Sequence, residues 1–525
     1  MCFRILDGVT LAIVACSLAI AASPARAADL RIGLSAEVTS LDPHYVNIAP
    51  NNAIAWHLFD ALTHVDEHAR LKPGLATSWR AIDATTWEFK LRPDVKFHDG
   101  SPLTAEDVIF SLERPATLAG SPSPFTAFVR AIVAKQIVDA HTIRLKTAVP
   151  YALVPYDLNS IYIVSKKAAA GARPEDFDSG RAAIGTGPFK FAGFRRGERV
   201  DLVRNDAYWN GRPAWDRVTF RMIASEGPRL AALLAGDVDA IESVPPADFA
   251  RLRKDARLRV EQTVSWRTIF LCLDQSRERS PFVLDKSGRA LERNPLKDVR
   301  VRRAISLAIN RAAIVERVMD GNAVAAANVV APPVFGHLAE RKPDGYDPQA
   351  ARRLLAEAGY PGGFQITLHA PNDRYVNDEQ IAQAVAQMLA RVGIQTRVVT
   401  MPAAAYFSKA RELAFSFALL GWGSYAADLA LRALAASNDP ATGWGAWNWG
   451  RYGNPRLDRL LGQAFASVDE KVRERYAREA AAAALDDYAL IPLHHQVASW
   501  AMKKSLRYTA RTDEFTLAYY FAPAQ

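Results

Sequence analysis

The chain has 525 residues, half of them hydrophobic, with 65 basic and 56 acidic side chains that leave a formal net charge of +9. That length suffices for two or three domains with proper cores. The positive excess is spread along the chain, without a lysine or arginine run or an aromatic–basic module, and this argues against nucleic-acid binding. Residues 1–27 read as a secretory signal: Arg4, an apolar run over residues 9–22, Pro24, and the small-x-small site Ala25-Arg26-Ala27. The run is too short to cross and stay in a membrane. Cys16, preceded by small residues, leaves a lipoprotein signal as the alternative. Cys2 and Cys16 lie in this segment, so cleavage after Ala27 leaves Cys272 alone and no intramolecular disulfide can form.

Residues 29–34 alternate like a strand, and Leu41-Asp42-Pro43 ends it. In residues 86–91, Trp87, Phe89 and Leu91 alternate with Glu88 and Lys90, predicting a half-buried strand with the charges outward. Pro93-Asp94 and His98-Asp99-Gly100 supply turns around Val95 and Phe97, which read as a second short strand. Thr104 followed by Asp107 reads as a capping box opening a helix with Val108, Ile109 and Leu112 on its apolar stripe. Further on come a strand and hairpin return over 138–146, a glycine-bearing crossing at 184–191 and a strand over 263–274. Residues 296–311 predict an amphipathic helix with Val301, Ile305 and Ala308 on one face. Helices over 347–358 and 378–391 enclose a strand at 364–370; with the strand at 395–400 they form a parallel βαβ crossover.

The ordered set Lys90-Leu91-Arg92, Phe97-His98-Asp99-Gly100 and Thr104-Ala105-Glu106-Asp107-Val108 resembles the signature segment of family 5 extracytoplasmic solute-binding proteins, which serve ATP-driven (ABC) importers of peptides, nickel complexes, haem, glutathione and similar solutes. Asn205-Asp206-Ala207-Tyr208-Trp209, Gly236-Asp237-Val238-Asp239-Ala240 and the stretch 490–500 are similar to the family pattern too. The resemblance spans nearly the whole chain after residue 27. It implies an α/β periplasmic-binding-protein type II fold, two lobes around a cleft with an extra subdomain in the first half. The expected division is a first lobe from residues 28–72, 185–270 and 490–525, an extra subdomain at 73–184 and a second lobe at 271–489.

Open α/β sheets bind ligands beyond the carboxyl ends of their strands. The strand ending at Ala370 delivers Arg374 and Tyr375 to a helix head, a fixed charge and an amphipathic ring beside backbone amides able to hold an anion. Asn377 or Asp378 reads as the N-cap there. After an apolar strand at 413–420 come Trp422, Tyr425 and Asp428, then Trp444, Trp447 and Trp449 among glycines. Flat rings lining a cleft bury ligand surface at low entropy cost, so Trp422 and Trp447 are pocket candidates. Peptide-binding relatives typically carry Trp-x-x-Asp-Tyr here, its aspartate pairing with the peptide's amino terminus. Trp422 matches, but Tyr425 occupies the aspartate position, and Asp428 is the replacement candidate. The run 427–432 is similar to the glutathione-binding branch. Arg267, heading the inter-lobe strand, is a candidate carboxylate partner or a bridge between lobes.

The chain has no His-Glu-x-x-His zinc motif, no Gly-x-Ser-x-Gly elbow, no phosphate-binding Gly-x-x-x-x-Gly-Lys and no paired cysteines, so neither catalysis nor a cofactor is expected. His494 and His495, adjacent on a predicted strand, face opposite ways and cannot share one metal. The expectation is a monomeric binder, exported to the periplasm, that captures a peptide or peptide-like solute by lobe closure and hands it to a membrane permease; a glutathione-like or opine-like conjugate or a nickel chelate is the alternative solute.

Overall fold

The computed structural model describes residues 28–524. The segment read as an export signal, Cys16 included, lies outside them. In chain order the strands that matter here are β1 (Asp29–Leu34), β2 (Ala76–Asp83), β3 (Thr86–Leu91), β4 (Ile132–Asp139), β5 (Thr142–Thr147), β6 (Phe189–Arg195), β7 (Arg199–Arg204), β8 (Arg217–Met222) and β9 (Ala240–Glu242). They continue with β10 (Leu258–Leu273), β11 (Val283–Leu284), β12 (Ala323–Ala325), β13 (Gln365–Pro371), β14 (Gln395–Met401), β15 (Phe417–Gly423) and β16 (Ile491–Lys503). Twelve of them form one sheet in the order β11-β13-β15-β10-β16-β9-β1-β8-β7-β6, with β12 on β16 and β14 on β13. A separate four-stranded sheet runs β2-β3-β5-β4.

The large sheet has two halves joined by two long strands. β10 and β16 pair antiparallel from Leu258–Lys503 to Val264–Val497, and again from Thr268–His495 to Leu271–Ile491. Between these runs the register slips, so that Ser265, Trp266 and Arg267 bulge out of the ladder opposite Gln496. On one side of the bulge β16 pairs with β9, and β9 with β1. On the other side β10 takes β15 as neighbour and β16 takes β12. A sheet that changes partners across a bulge bends there, and both halves turn the carboxyl ends of parallel pairs, β1 with β9 and β13 with β14, into the space between them.

Local chemistry accounts for most elements. Trp87, Phe89 and Leu91 are buried as their spacing predicts, but Glu88 is buried as well. Its cross-strand neighbours Arg80 and Arg144 close over it at 2.9 and 2.8 Å, so the charge is covered rather than solvated. Val95 and Phe97 are buried without forming a strand; a single bridge, Lys96 with Pro102, is all that pairs there. The helix α1 (Ala105–Glu113) starts where expected, because the Asp107 carboxylate accepts from both the Thr104 amide (3.0 Å) and its hydroxyl (2.8 Å). In α2 (Val299–Ala308), Val301, Ile305 and Ala308 are fully buried. Each large aliphatic side chain so removed from water contributes about 1.5–3 kcal/mol.

Cores follow the two halves and the small sheet. Ile32, Phe220 and Trp500 belong to one cluster, Ile269, Leu368 and Leu493 to another, and Phe89, Val108 and Ile143 to a third beneath the small sheet. Within residues 162–183 the packing divides: Ile163 stays with that third cluster, while Tyr162, Val164 and Phe177 pack in the first. Leu153 and Tyr156 reach across into the core that holds Leu420 and Leu431. Among the described residues no helix is long and apolar enough to cross a membrane.

Candidate functional site

A cleft of about 730 Å³ lies between the two half-sheets, of the size that houses small-molecule and peptide-like ligands. One wall comes from the loop after β1 and from β9 and the residues after it; the other from the β13 loop; the floor is the bulge of β10 and the segment 514–516. Its polar lining includes Ser35, Glu242, Ser243, Arg267, Arg374 and Glu514.

The floor is an ionic clamp. Arg267 donates to Glu514 through Nε (3.1 Å to Oε1) and Nη2 (2.6 Å to Oε2), and the Ser265 hydroxyl donates to the same carboxylate at 2.6 Å. Burial alone would raise the Glu514 pKa, yet the Arg267 guanidinium holds it below the ordinary carboxylate value. Glu514 sits at φ +68° and Ser243, on the facing wall, at φ +52°. Left-handed backbone at two non-glycine residues lining one cleft is strain of the kind that clusters at binding sites. Arg267 is therefore both things the sequence allowed, a cleft residue and a bridge, but its charge is already matched.

Arg374 is different. Its guanidinium stacks over the Tyr375 ring, 5.2 Å from the centroid, and has no ion-pair partner among the described residues. The side chain faces the solvent of the cleft between protein walls; that partial desolvation, ahead of the positive charge of Arg267, lowers its pKa. The loop presenting it is pinned from below. Asp378, at the start of α3 (Asp378–Ala390), accepts from the amides of Arg374 and Tyr375, both at 3.0 Å. Those amides are consequently spent and do not hold an anion, a correction to the sequence-based expectation. Asn377 occupies the N-cap position at φ +55° without a capping side-chain bond.

The remaining candidates do not line this cleft. Tyr375 is buried beneath the loop, its hydroxyl donating to the Gly421 carbonyl at 3.1 Å. Asp428 has no exposed surface, and Arg473 matches its charge through both oxygens at 2.8 and 3.0 Å, so an ammonium group neither reaches it nor finds it unpaired. Tyr425 stacks on Tyr156 with centroids 5.8 Å apart. Trp422 packs edge-on to Trp447 at 5.2 Å, and Trp447 against Trp449 at 5.7 Å, all partners of one hydrophobic core. A tryptophan-rich span carries the same sequence signal whether it lines a pocket or fills a core, and here the rings found one another. His495 bonds Thr268 at 2.9 Å and His494 is wholly buried, so neither faces the cleft. What sequence reasoning missed were Glu242 and Glu514, single acidic residues in unremarkable contexts; only the positive φ of Glu514 sets one apart, and that is invisible before folding.

Comparison with known proteins agrees with this architecture. Residues 70–437 match the model of the bacterial extracellular solute-binding proteins, family 5. Heme-binding protein A of Haemophilus influenzae is 28% identical over 459 residues, covering 81% of this chain and 79% of its own. The glutathione-binding protein GsiB of Salmonella typhi is 28% identical over 486 residues, 90% of each chain. The structure of HbpA2 from Haemophilus parasuis superposes with a TM-score of 0.80 at 23% identity, covering 95% of this chain and all of that one. The likeness shows the type II periplasmic-binding-protein fold, two α/β lobes about a cleft.

Proposed function

The chain belongs to family 5 of the bacterial extracellular solute-binding proteins, and from that premise we propose that the inter-lobe cleft is where its solute is captured and that Arg374 holds an anionic group of that solute. The observation that carries this reading is a guanidinium without a counter-ion among the described residues, on a loop that Asp378 pins to the wall of a 730 Å³ cleft. Arginine offers a carboxylate a bidentate fork, and a charge left unmatched in the empty cleft gains its partner only when ligand enters. Arg267 shapes the floor beside it through its pair with Glu514.

The protein works as the binding subunit of an ABC importer. It is exported by residues 1–27, acts in the periplasm, closes its lobes about the bulge of β10 and β16, and presents the closed form to a membrane permease. Closure requires the solute to favour the closed over the open state. The first lobe comprises 28–72, 185–270 and 490–524, the second 271–489, and the small sheet with its helix forms the extra subdomain. The solute is a peptide or a peptide-like conjugate: relatives are named for binding glutathione and haem, and a free arginine fits a solute bearing a carboxylate. The chain binds without turning its solute over.

Calorimetric and thermal-shift screening of the protein from residue 28 onward against di- and oligopeptides, glutathione, opine-like conjugates and nickel chelates tests this. A carboxylate-bearing compound is expected to bind, and Arg374→Met to weaken it by about tenfold or more, the worth of one charge-assisted hydrogen-bonding pair. Retention of full affinity in Arg374→Met removes that residue from the site. Turnover of any compound sinks the binder reading.

A further inference from the structure

Glu242 ends β9, on the wall opposite Arg374. Its Oε1 accepts from the Ser35 amide and hydroxyl, both at 2.8 Å, and its Oε2 from the Thr516 hydroxyl. Three neutral donors thus fix the carboxylate at the cleft surface, and none neutralises it. The buried Arg229 feels the Glu242 charge but spends its guanidinium on the carbonyls of Ile223, Ala224, Glu242 and Ser243, at 2.8–3.1 Å, and makes no ion pair with that carboxylate among the described residues. The other acidic residues of the cleft are otherwise engaged: Glu514 with Arg267, and Asp373 with the Ala403 amide at 2.7 Å. Ser243, next in the chain, is held at φ +52°, so the orientation of the wall at this point is maintained against local strain.

We propose that Glu242 is the residue that selects for a positively charged group, an ammonium or guanidinium, on the captured solute. This rests on the reading of the cleft as the solute site. A carboxylate held by hydroxyls and an amide keeps lone pairs free for a charged donor. Placed on the first lobe while Arg374 stands on the second, it makes a solute with both charges bridge the two walls. Binding energy from the cationic end is then realised only as the lobes approach, which ties recognition of that group to closure.

The test uses the protein from residue 28 onward with paired probes: reduced glutathione and alanylalanine, each beside its N-acetylated counterpart. Calorimetry gives affinity and small-angle X-ray scattering gives compaction. For a probe that binds, the free amine is expected to bind about tenfold or more tightly than its acetylated partner, and only the former to compact the protein. Glu242→Gln, which keeps a carbonyl acceptor for Ser35 and turns an amide donor toward the Thr516 hydroxyl, which can accept, is expected to abolish that preference while leaving the acetylated compound's affinity within about twofold. Asp373→Asn is expected to leave the preference intact. Equal binding of the paired compounds by the wild type, or a preference that survives Glu242→Gln or disappears in Asp373→Asn, overturns the assignment while the solute-binding reading stands. If Glu242→Gln does not fold, the wild-type comparison decides alone. Binding of no probe in either form overturns both.

Discussion

Arg473 is among the largest side chains buried without residue in this protein, and its surroundings explain why Asp428 serves stability and not recognition. The guanidinium lies between the rings of Tyr156 and Phe335, each centroid 4.4 Å away, and meets both oxygens of Asp428 edge-on. Such an arrangement satisfies the planar cation on both faces and one edge, but only while the carboxylate is present. Removing one partner of a buried pair strands the other charge. Asp428→Ala is therefore expected to cost about 3–5 kcal/mol and to lower the melting temperature by several degrees, whereas solute affinity of the folded fraction, read by calorimetry at a temperature where the variant is native, stays unchanged. A selective loss of affinity without loss of stability would return Asp428 to the binding site.

At the scale of elements, the βαβ unit of β13, α3 and β14 is where local structure becomes a site. β13 and β14 pair in parallel from Gln365–Gln395 to Pro371–Met401, and the crossover helix begins at Asp378. Its buried carboxylate turns the β13 loop back on itself and so aims Arg374. Asp378→Ala is expected to destabilise the protein by about 1 kcal/mol, as loss of a helix-terminal acceptor does, and to weaken carboxylate-bearing solutes several-fold although the residue touches none of them. An unchanged affinity, measured calorimetrically beside Arg374→Met, would show that the loop keeps its shape unaided. This unit was legible from sequence because period-two and helical patterns alternate in it, and because a parallel crossover dictates where its strands end. The facing wall was not. Glu242 closes a three-residue strand and Glu514 lies in an irregular turn, and neither has a periodic neighbourhood. Their juxtaposition arises from the pairing of β9 with β16 and from the bulge, long-range events that no local pattern encodes. The aromatic span around Trp422 misled for a related reason, since burial against another ring and burial against a ligand demand the same residue.

For the molecule as a whole, the distribution of buried imidazoles sets the response to acid. Burial is the largest influence on each of them, and it draws the pKa of His44, His57, His64, His98, His369 and His494 down to about 4 and that of His495 to about 3. In the unfolded chain these groups titrate near 6.5, so below that pH the unfolded state binds more protons and gains on the folded one. Their contribution is fully present above pH 6.5 and is lost progressively as pH falls toward 4. Asp60, Asp157 and Asp378 act in the opposite sense: burial raises their pKa, that of Asp157 to about 6, so they destabilise the fold at neutral pH and relax on protonation. Three carboxyls do not offset seven imidazoles. The melting temperature is expected to fall steeply between pH 6.5 and 4.5, with net proton uptake on unfolding seen as a dependence of the calorimetric enthalpy on buffer ionisation. The histidines are not equivalent in this. His57 bonds the Ala53 carbonyl and accepts from the Ala518 amide, both at 2.8 Å, while neither ring nitrogen of His494 has a partner among the described residues. His494→Leu is expected to hold or raise stability at pH 7 and to flatten the acid limb by about one proton's share, and His57→Leu to lose stability already at pH 7 because it orphans the buried Ala518 amide. Identical pH profiles for wild type and His494→Leu would place the acid sensitivity elsewhere, in paired carboxylates held below their ordinary pKa, such as Glu514 on Arg267 and Asp239 on Arg31.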